Sequence, residues 1–144
     1  MITAQDNATL ARTIYNLFNL RKLDEATTHL TPEVKFITVP LNENYTGHEG
    51  FKKFAQKWIT AMPDCRIEVK NVVAAEEGVA IEYIGRGTHT GPFVGPTGTI
   101  QPTSKKVELQ ACEFLKLKNG KIAESHTYFD SAALLRQLGI QKLL

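Results

Sequence analysis

Residues 106–129 read KVELQACEFLKLKNGKIAESHTYF and contain the strongest fold signal of the chain. Two extended stretches, 106–118 and 121–129, flank the pair Asn119-Gly120, which strongly favours the tight turn of a β-hairpin. The sequence therefore predicts two long antiparallel strands joined by a two-residue turn.

Three more extended stretches lie before this hairpin. They are predicted as strands at residues 34–39, 66–75 and 79–89. Between residues 91 and 104 the segment GPFVGPTGTIQPTS is too rich in Gly and Pro for a strand, so we expect a loop there. Long strands separated by short turns predict an antiparallel meander in the second half of the chain.

Helical periodicity dominates the first half of the sequence. Apolar residues at helical spacing predict a first helix preceded by Asp6 or Asn7 as its cap. The predicted helices cover residues 10–18, 24–30, 51–62 and 131–138. The third is the clearest, because its apolar residues form one stripe and Pro63 ends it.

Helices followed by a meander predict one α+β domain over residues 1–144, with a strongly curved antiparallel or mixed sheet wrapped around the N-terminal helices. Such a sheet leaves room on its concave side, so we expect an apolar pocket for a small apolar molecule. The aromatic stripe is predicted to form core, with part of it lining that pocket: Tyr15, Phe18, Phe54 and Trp58.

The composition is that of an ordinary globular protein, with 42% apolar and 22% charged residues in 144. A net charge of +2 with scattered basic residues gives no nucleic-acid footprint. No window is apolar for long enough to cross a membrane, and the N-terminus does not resemble a secretory signal. We therefore expect a cytoplasmic protein, with Cys65 and Cys112 as buried thiols.

Asp130 lies where the last predicted strand meets the last predicted helix. It is a candidate general base, and equally a candidate helix cap. A two-residue turn at Asn119-Gly120 would place Leu109 opposite Asp130, and apolar neighbours would then raise the pKa of the carboxyl group.

Strand alternation predicts that His126 and Tyr128 share a face with Asp130. The same pairing places Glu113 opposite His126, where the two could relay a proton or form a structural pair. His89 ends a strand at the start of the Gly-rich loop, so it either faces the mouth of the pocket or hydrogen-bonds the loop backbone.

The sequence contains no local spacing typical of a metal site and no phosphate-binding glycine pattern. We therefore expect no metal and no cofactor. Arg86 and Asp130 could form the charged pair of an epoxide hydrolase, although nothing in their spacing requires it.

Three segments carry a family resemblance: GHEGFKKFAQKWITAMPD (47–64), GRGTHTGPFVG (85–95) and LKNGKIAESHTYFDSAALLRQLG (117–139). They resemble the SnoaL-like polyketide cyclases, or ester cyclases, of the nuclear-transport-factor-2-like superfamily. The resemblance implies a cone-shaped α+β barrel that forms a homodimer. It also implies ring closure by intramolecular aldol addition without metal or cofactor, with a carboxylate that corresponds to Asp130 as acid and base.

Two classes of function stay open at this point. The first is an enzyme that uses Asp130, assisted by His126, to remove a proton next to a carbonyl group, as a cyclase, lyase or isomerase would. The second is a non-catalytic module that binds a small apolar ligand or mediates dimerisation. A ketosteroid-isomerase-like site is disfavoured, since residues 35–40 contain no carboxylate.

Overall fold

The chain folds around one six-stranded sheet, which is packed against four helices. The computed structural model describes residues 2–96 and 98–140. The helices are α1 (Ala4–Asn19), α2 (Leu23–Thr27), α3 (Gly47–Ala61) and α4 (Ser131–Gln137). The strands are β1 (Leu30–Thr38), β2 (Glu43–Thr46), β3 (Arg66–Ala74), β4 (Gly78–Thr88), β5 (Phe93–Gly95), β6 (Gly98–Ile100), β7 (Lys106–Lys118) and β8 (Lys121–Phe129). The predicted α+β class is confirmed.

The sheet is mixed and strongly curved, with the strand order β2-β1-β8-β7-β4-β3. β1 runs parallel to β8, while every other neighbouring pair is antiparallel. The described strands do not close into a complete barrel, because β2 and β3 remain as edges. The fold is thus an open cone whose inner face is covered by helices.

The inner face of the sheet and the buried sides of α1 and α3 form the larger core. Its fully buried residues include Ala11 on α1, Phe51 on α3 and Ile81 on β4. A smaller core lies near the end of α3 and beneath α4, around Met62 and Leu134. Burial of these side chains is the main force that holds the helices in the cone.

The first helix begins earlier than predicted. Thr3 is its N-cap and forms a reciprocal capping box with Asp6, so the expected cap at Asp6 or Asn7 is wrong. Asn7 is buried instead, and its side-chain amide donates to the carbonyls of Ala75 and Glu76. This amide fastens α1 to the turn between β3 and β4.

The turn between β7 and β8 is the predicted one, because Asn119 and Gly120 both have positive φ angles. The expected pairing holds only next to the turn, where Leu117 faces Ile122. Beyond it Lys116 faces Glu124, which leaves Ala123 as an extra residue in β8. This β-bulge shifts all later pairs by one position and reverses the faces of the strand.

The loop at 91–104 contains a small hairpin that the sequence did not predict, since β5 and β6 pair with each other. Gly91 allows this loop to approach α3. Its N–H donates to the Ala61 carbonyl at 3.0 Å, and a Cβ at this position would lie 1.9 Å from the Thr60 carbonyl oxygen.

Two smaller expectations concern the cysteines and membrane-spanning helices. Both cysteines are free; Cys65 is buried as predicted, whereas Cys112 is only half-buried. Among the described residues, no helix combines the length and the apolarity that spanning a membrane would require.

Candidate functional site

A cavity of about 120 Å³ lies between the inner face of the sheet and helices α1 and α3. Its lining is predominantly aromatic and aliphatic, as is usual for a site that binds a small apolar molecule. The aromatic residues that line it are Tyr15, Phe18, Phe36, Phe51, Phe54, Trp58, Tyr83 and Phe129.

Glu113 on β7 is the one carboxylate among the described residues that line this cavity. Its side chain is buried, and each of its two oxygens accepts a hydrogen bond, one from the Tyr15 hydroxyl and one from the Ser125 hydroxyl. Thr127 lies directly opposite Glu113 on β8. These contacts fix the carboxyl group at the inner wall of the cavity.

Burial dominates the electrostatics of this group. It raises the pKa of Glu113, although hydrogen bonds from Ser125, Tyr15 and Thr127 oppose the effect. Burial, followed by the nearby Glu113 carboxylate, also raises the pKa of Tyr15 and of Tyr83. The two phenols are therefore neutral near pH 7, and each keeps an O–H that can be donated; that of Tyr15 is donated to Glu113.

Tyr83 differs from Tyr15 in having a free hydroxyl. Within residues 2–96 and 98–140, no group forms a hydrogen bond with its phenolic oxygen, and that oxygen is not sealed from solvent. The rings of Tyr15 and Tyr83 are 5.4 Å apart between centroids. A ligand in the cavity can thus meet a free O–H donor beside Glu113.

Four of the residues predicted to bind a ligand do line the cavity: Tyr15, Phe18, Phe54 and Trp58. They come from α1 and α3, whose apolar residues recur at helical spacing in the sequence. Trp58 is further held by edge contacts with Phe93 and Phe129, at centroid distances of 5.1 and 5.8 Å.

Asp130 does not line the cavity, so its predicted placement there is wrong. Its side chain is exposed and caps α4, accepting a hydrogen bond from the backbone N–H of Ala133 at 3.1 Å. The expected partner Leu109 is not opposite it, because the bulge at Ala123 moves Phe129 opposite Ala111. The catalytic role of Asp130 stays a prediction without geometric support.

His126 and Tyr128 lie on the outer face of the sheet, because the bulge at Ala123 shifts the pairing of β8 by one residue. The Nε2 atom of His126 is 2.7 Å from Glu124, and the expected pair with Glu113 is absent because Phe114 lies opposite His126 instead. Tyr128 is 44% exposed. Neither side chain is among those that line the cavity.

His89 is buried, with 1% of its surface exposed, but it does not line the cavity. The backbone N–H of Thr103 donates to its Nδ1 at 3.2 Å, and the Thr103 hydroxyl lies 2.9 Å from the same atom. The Nε2 atom therefore carries the proton, and it has no partner among the described residues. The histidine holds the loop backbone, which was the second of its two interpretations.

From the sequence, Glu113 was expected only as a partner of His126. A signal for its true position existed, since Glu113 interrupts the inward-facing series of β7 that Val107, Leu109, Ala111 and Leu115 otherwise make apolar. A charged residue at a core position of an amphipathic strand destabilises the fold unless it is paired, so its presence there indicates partners or a function.

The family model of the SnoaL-like polyketide cyclases matches residues 8–138 of the chain. Among curated proteins, none matches the sequence significantly.

Three solved structures illustrate the similarity. A protein from Jannaschia sp. CCS1 assigned to the SnoaL-like polyketide cyclases is 17% identical, with 96% of this chain and 95% of that chain covered and a TM-score of 0.84. AclR from Streptomyces galilaeus, assigned as a hydroxylase, is 25% identical, with coverages of 94% and 97% and a TM-score of 0.78. IdmH from Streptomyces antibioticus, assigned as a polyketide cyclase, is 22% identical, with coverages of 93% and 99% and a TM-score of 0.77.

Proposed function

The chain belongs to the SnoaL-like polyketide cyclase family, and on that premise we propose that it is an enzyme which moves a proton next to the carbonyl group of a small apolar compound. The reaction needs no cofactor, and Glu113 is the acid and base. The observation that carries this proposal is the position of one buried carboxyl group, with a raised pKa, in an otherwise apolar cavity.

The chemistry follows from the groups around the cavity. Ionised Glu113 takes a proton from the carbon next to the ligand carbonyl, and the electron pair of the broken C–H bond forms an enolate. The free hydroxyl of Tyr83 donates a hydrogen bond to the oxygen on which the negative charge develops. The enolate carbon then attacks a second carbonyl in the same molecule, and protonated Glu113 returns its proton to the new alkoxide.

A raised pKa suits both halves of this cycle. A carboxyl group that titrates nearer to neutral pH is a stronger base when ionised, and it is still protonated often enough to act as an acid. Asp130, which the family resemblance indicated, is exposed and caps a helix. We therefore assign the proton transfer to Glu113.

The test uses an uncharged one-ring ketone, cyclohexanone, in D₂O, with NMR to follow replacement of the hydrogens next to the carbonyl by deuterium. We expect the protein to accelerate this exchange, and the Asp130→Asn variant to do so equally well, because Asn also caps helices. The rate should rise with pH through the raised pKa of Glu113, since only the ionised form is a base.

Each result separates the alternatives. Loss of exchange in the Asp130→Asn variant would return the catalytic role to Asp130 and refute the assignment to Glu113. No exchange by the wild-type protein, combined with binding of the ketone, would favour a module that only binds its ligand.

We also propose that two copies of the chain pair through the outer face of the sheet. A row of side chains crosses this face at one level of five strands: Ile37, His126, Phe114, Ala80 and Val73. Phe114 and Val73 are 56% and 63% exposed, and the apolar members of the row form a band on either side of His126 that a second copy would cover.

Replacing Phe114 with glutamate should convert a dimer into a monomer, because two-fold pairing would bring like charges together in an apolar contact. Sedimentation velocity at micromolar concentration measures the effect. Val94→Glu is the matched control, since Val94 is equally exposed but lies on β5, away from the band. A wild-type protein that sediments as a monomer would refute this pairing.

A further inference from the structure

Thr38 is a polar residue on the inner face of β1, at the end of the strand. Its inward-facing neighbours Val34 and Phe36 are buried and apolar, and Thr38 itself is 1% exposed and lines the cavity. Burying a hydroxyl group costs free energy unless a hydrogen-bond partner compensates for the lost contact with water. A threonine at this position therefore indicates a partner or a function for its hydroxyl.

Within the described residues, the fold makes no use of the Thr38 hydroxyl. Thr38 is the N-cap of the short 3₁₀ turn Val39–Leu41, a position from which a threonine hydroxyl usually accepts a backbone hydrogen bond, but its side chain forms no such cap. No other group in residues 2–96 and 98–140 forms a hydrogen bond with this hydroxyl, and it is not among the polar atoms sealed from solvent. The hydroxyl is thus open to the cavity.

Strand pairing places Thr38 in one row with Glu113. Thr38 lies opposite Thr127 on β8, and Thr127 lies opposite Glu113 on β7. All three residues line the cavity. Two strand spacings, roughly 10 Å between backbones, separate Thr38 from Glu113. A small ligand in the cavity can therefore contact both residues at once.

Glu113 lies between two residues with free hydroxyl groups. The strand order β1-β8-β7-β4 puts Thr38 on one side of Glu113 and Tyr83 on the other, and both line the cavity. Each hydroxyl can donate one hydrogen bond. A ligand with two carbonyl oxygens can accept from both donors, whereas a ligand with one carbonyl leaves one of them without a partner.

We propose that Thr38 is a catalytic residue that binds the second carbonyl group of the substrate, the one which the enolate attacks. As the new C–C bond forms, the electron pair of the C=O π bond moves onto the oxygen, and the hydrogen bond from Thr38 stabilises the resulting alkoxide. Protonated Glu113 then gives its proton to this alkoxide and becomes ionised again. The inference rests on the proposed function, because it assigns a group to the second half of the same reaction.

Heptane-2,6-dione is a small uncharged substrate on which this role can be tested. The carbon at one end of its chain can attack the carbonyl near the other end and close a six-membered ring, and NMR follows the product, 3-hydroxy-3-methylcyclohexanone. We expect the wild-type protein to accelerate this closure. Thr38→Val, which has nearly the same shape without the hydroxyl, should slow it by about a hundredfold, the usual effect of removing one donor to a developing oxyanion.

Three comparisons show whether the effect belongs to the hydroxyl of Thr38. Deuterium exchange on cyclohexanone should be unchanged in Thr38→Val, because that step involves a single carbonyl. Thr38→Ser keeps the hydroxyl and should restore most of the ring-closure rate. Thr31→Val is the matched control, since Thr31 is a buried threonine on the same strand whose hydroxyl has no partner among the described residues, but it does not line the cavity.

Binding of the second oxygen can be measured without any reaction. Heptan-2-one has the same chain as the dione with one carbonyl, and Trp58, the single tryptophan, lines the cavity and reports binding by its fluorescence. In Glu113→Gln, where the dione stays intact, we expect the dione to bind roughly fivefold more tightly than heptan-2-one, as for one added neutral hydrogen bond. Adding Thr38→Val should remove this preference and leave the affinity for heptan-2-one unchanged.

Several results would overturn the role of Thr38. These are wild-type exchange on cyclohexanone without any acceleration of ring closure, equal ring-closure rates in wild type and Thr38→Val, and a preference for the dione that persists in Thr38→Val. Equal losses of ring closure and exchange in Thr38→Val would also overturn it, since they would indicate a structural role. A wild-type protein that fails to exchange cyclohexanone refutes the proton transfer by Glu113 instead. The binding comparison needs no proton transfer and decides separately whether Thr38 holds the second oxygen.

Discussion

Replacing Glu113 with glutamine is expected to slow deuterium exchange on cyclohexanone by about two to four orders of magnitude, the usual contribution of a general acid or base. The amide has nearly the same shape, so it can still meet the hydroxyls of Tyr15 and Ser125, but it cannot accept a proton. The measurement is the NMR exchange rate with equal concentrations of wild-type, Glu113→Gln and Asp130→Asn protein.

Stability measurements show whether that loss is chemical. Because burial raises the folded-state pKa of Glu113 above its ordinary 4.5, the folded protein holds this proton more tightly than the unfolded chain does. The contribution of Glu113 to stability is therefore fully present below pH 4.5 and is lost as pH rises through the raised folded-state pKa. Urea unfolding of Glu113→Gln should lack this decline and still indicate a cooperative fold. A folded variant that keeps full exchange activity would exclude Glu113 as the base.

Replacing Gly91 with alanine should lower the free energy of unfolding by about 3 kcal/mol, the upper end of what overpacking usually costs. The added Cβ would lie 1.9 Å from the Thr60 carbonyl oxygen, and both groups belong to the backbone. The loop can escape only by moving away from α3, which breaks the hydrogen bond from the Gly91 N–H to Ala61. Urea unfolding monitored by circular dichroism measures the loss.

Gly95→Ala in the same loop is the control for this change. The nearest atom to its added Cβ is the Gly98 carbonyl oxygen at 3.4 Å, an ordinary contact. We expect a change of less than about 1 kcal/mol, as for most substitutions without a clash. If the two variants lost stability equally, the close approach of the loop to α3 would not be the cause.

Most of the helices and strands were predictable from the sequence. Helical stripes and period-two strands are set by local burial, so α3 and the β7–β8 hairpin appear within a few residues of their predicted limits. The small hairpin at 93–100 was missed because its strands have three residues each and are rich in Gly, which leaves no periodicity to detect.

The candidate site was predictable only in part. Tyr15, Phe18, Phe54 and Trp58 lie on helices, where spacing alone fixes the face that they share. The strand residues His126, Tyr128 and Asp130 were placed on the wrong face, because nothing in the local sequence distinguishes Ala123 as an extra residue. Glu113 would have been found by asking which charged residue interrupts the apolar face of β7.

The bulge at Ala123 sets the register of strand β8 against β7, and with it the face on which each later residue lies. Deleting this one residue would remove the bulge but keep the present pairs, because Glu124 would follow Ile122 directly and still lie opposite Lys116, so Ser125 and Thr127 would stay on the inner wall. Strict pairing from the turn with every residue retained would instead turn His126, Tyr128 and Asp130 to the inner wall without substituting any of them. The chemistry that this fold can offer therefore depends on the register of β8 as well as on residue identity.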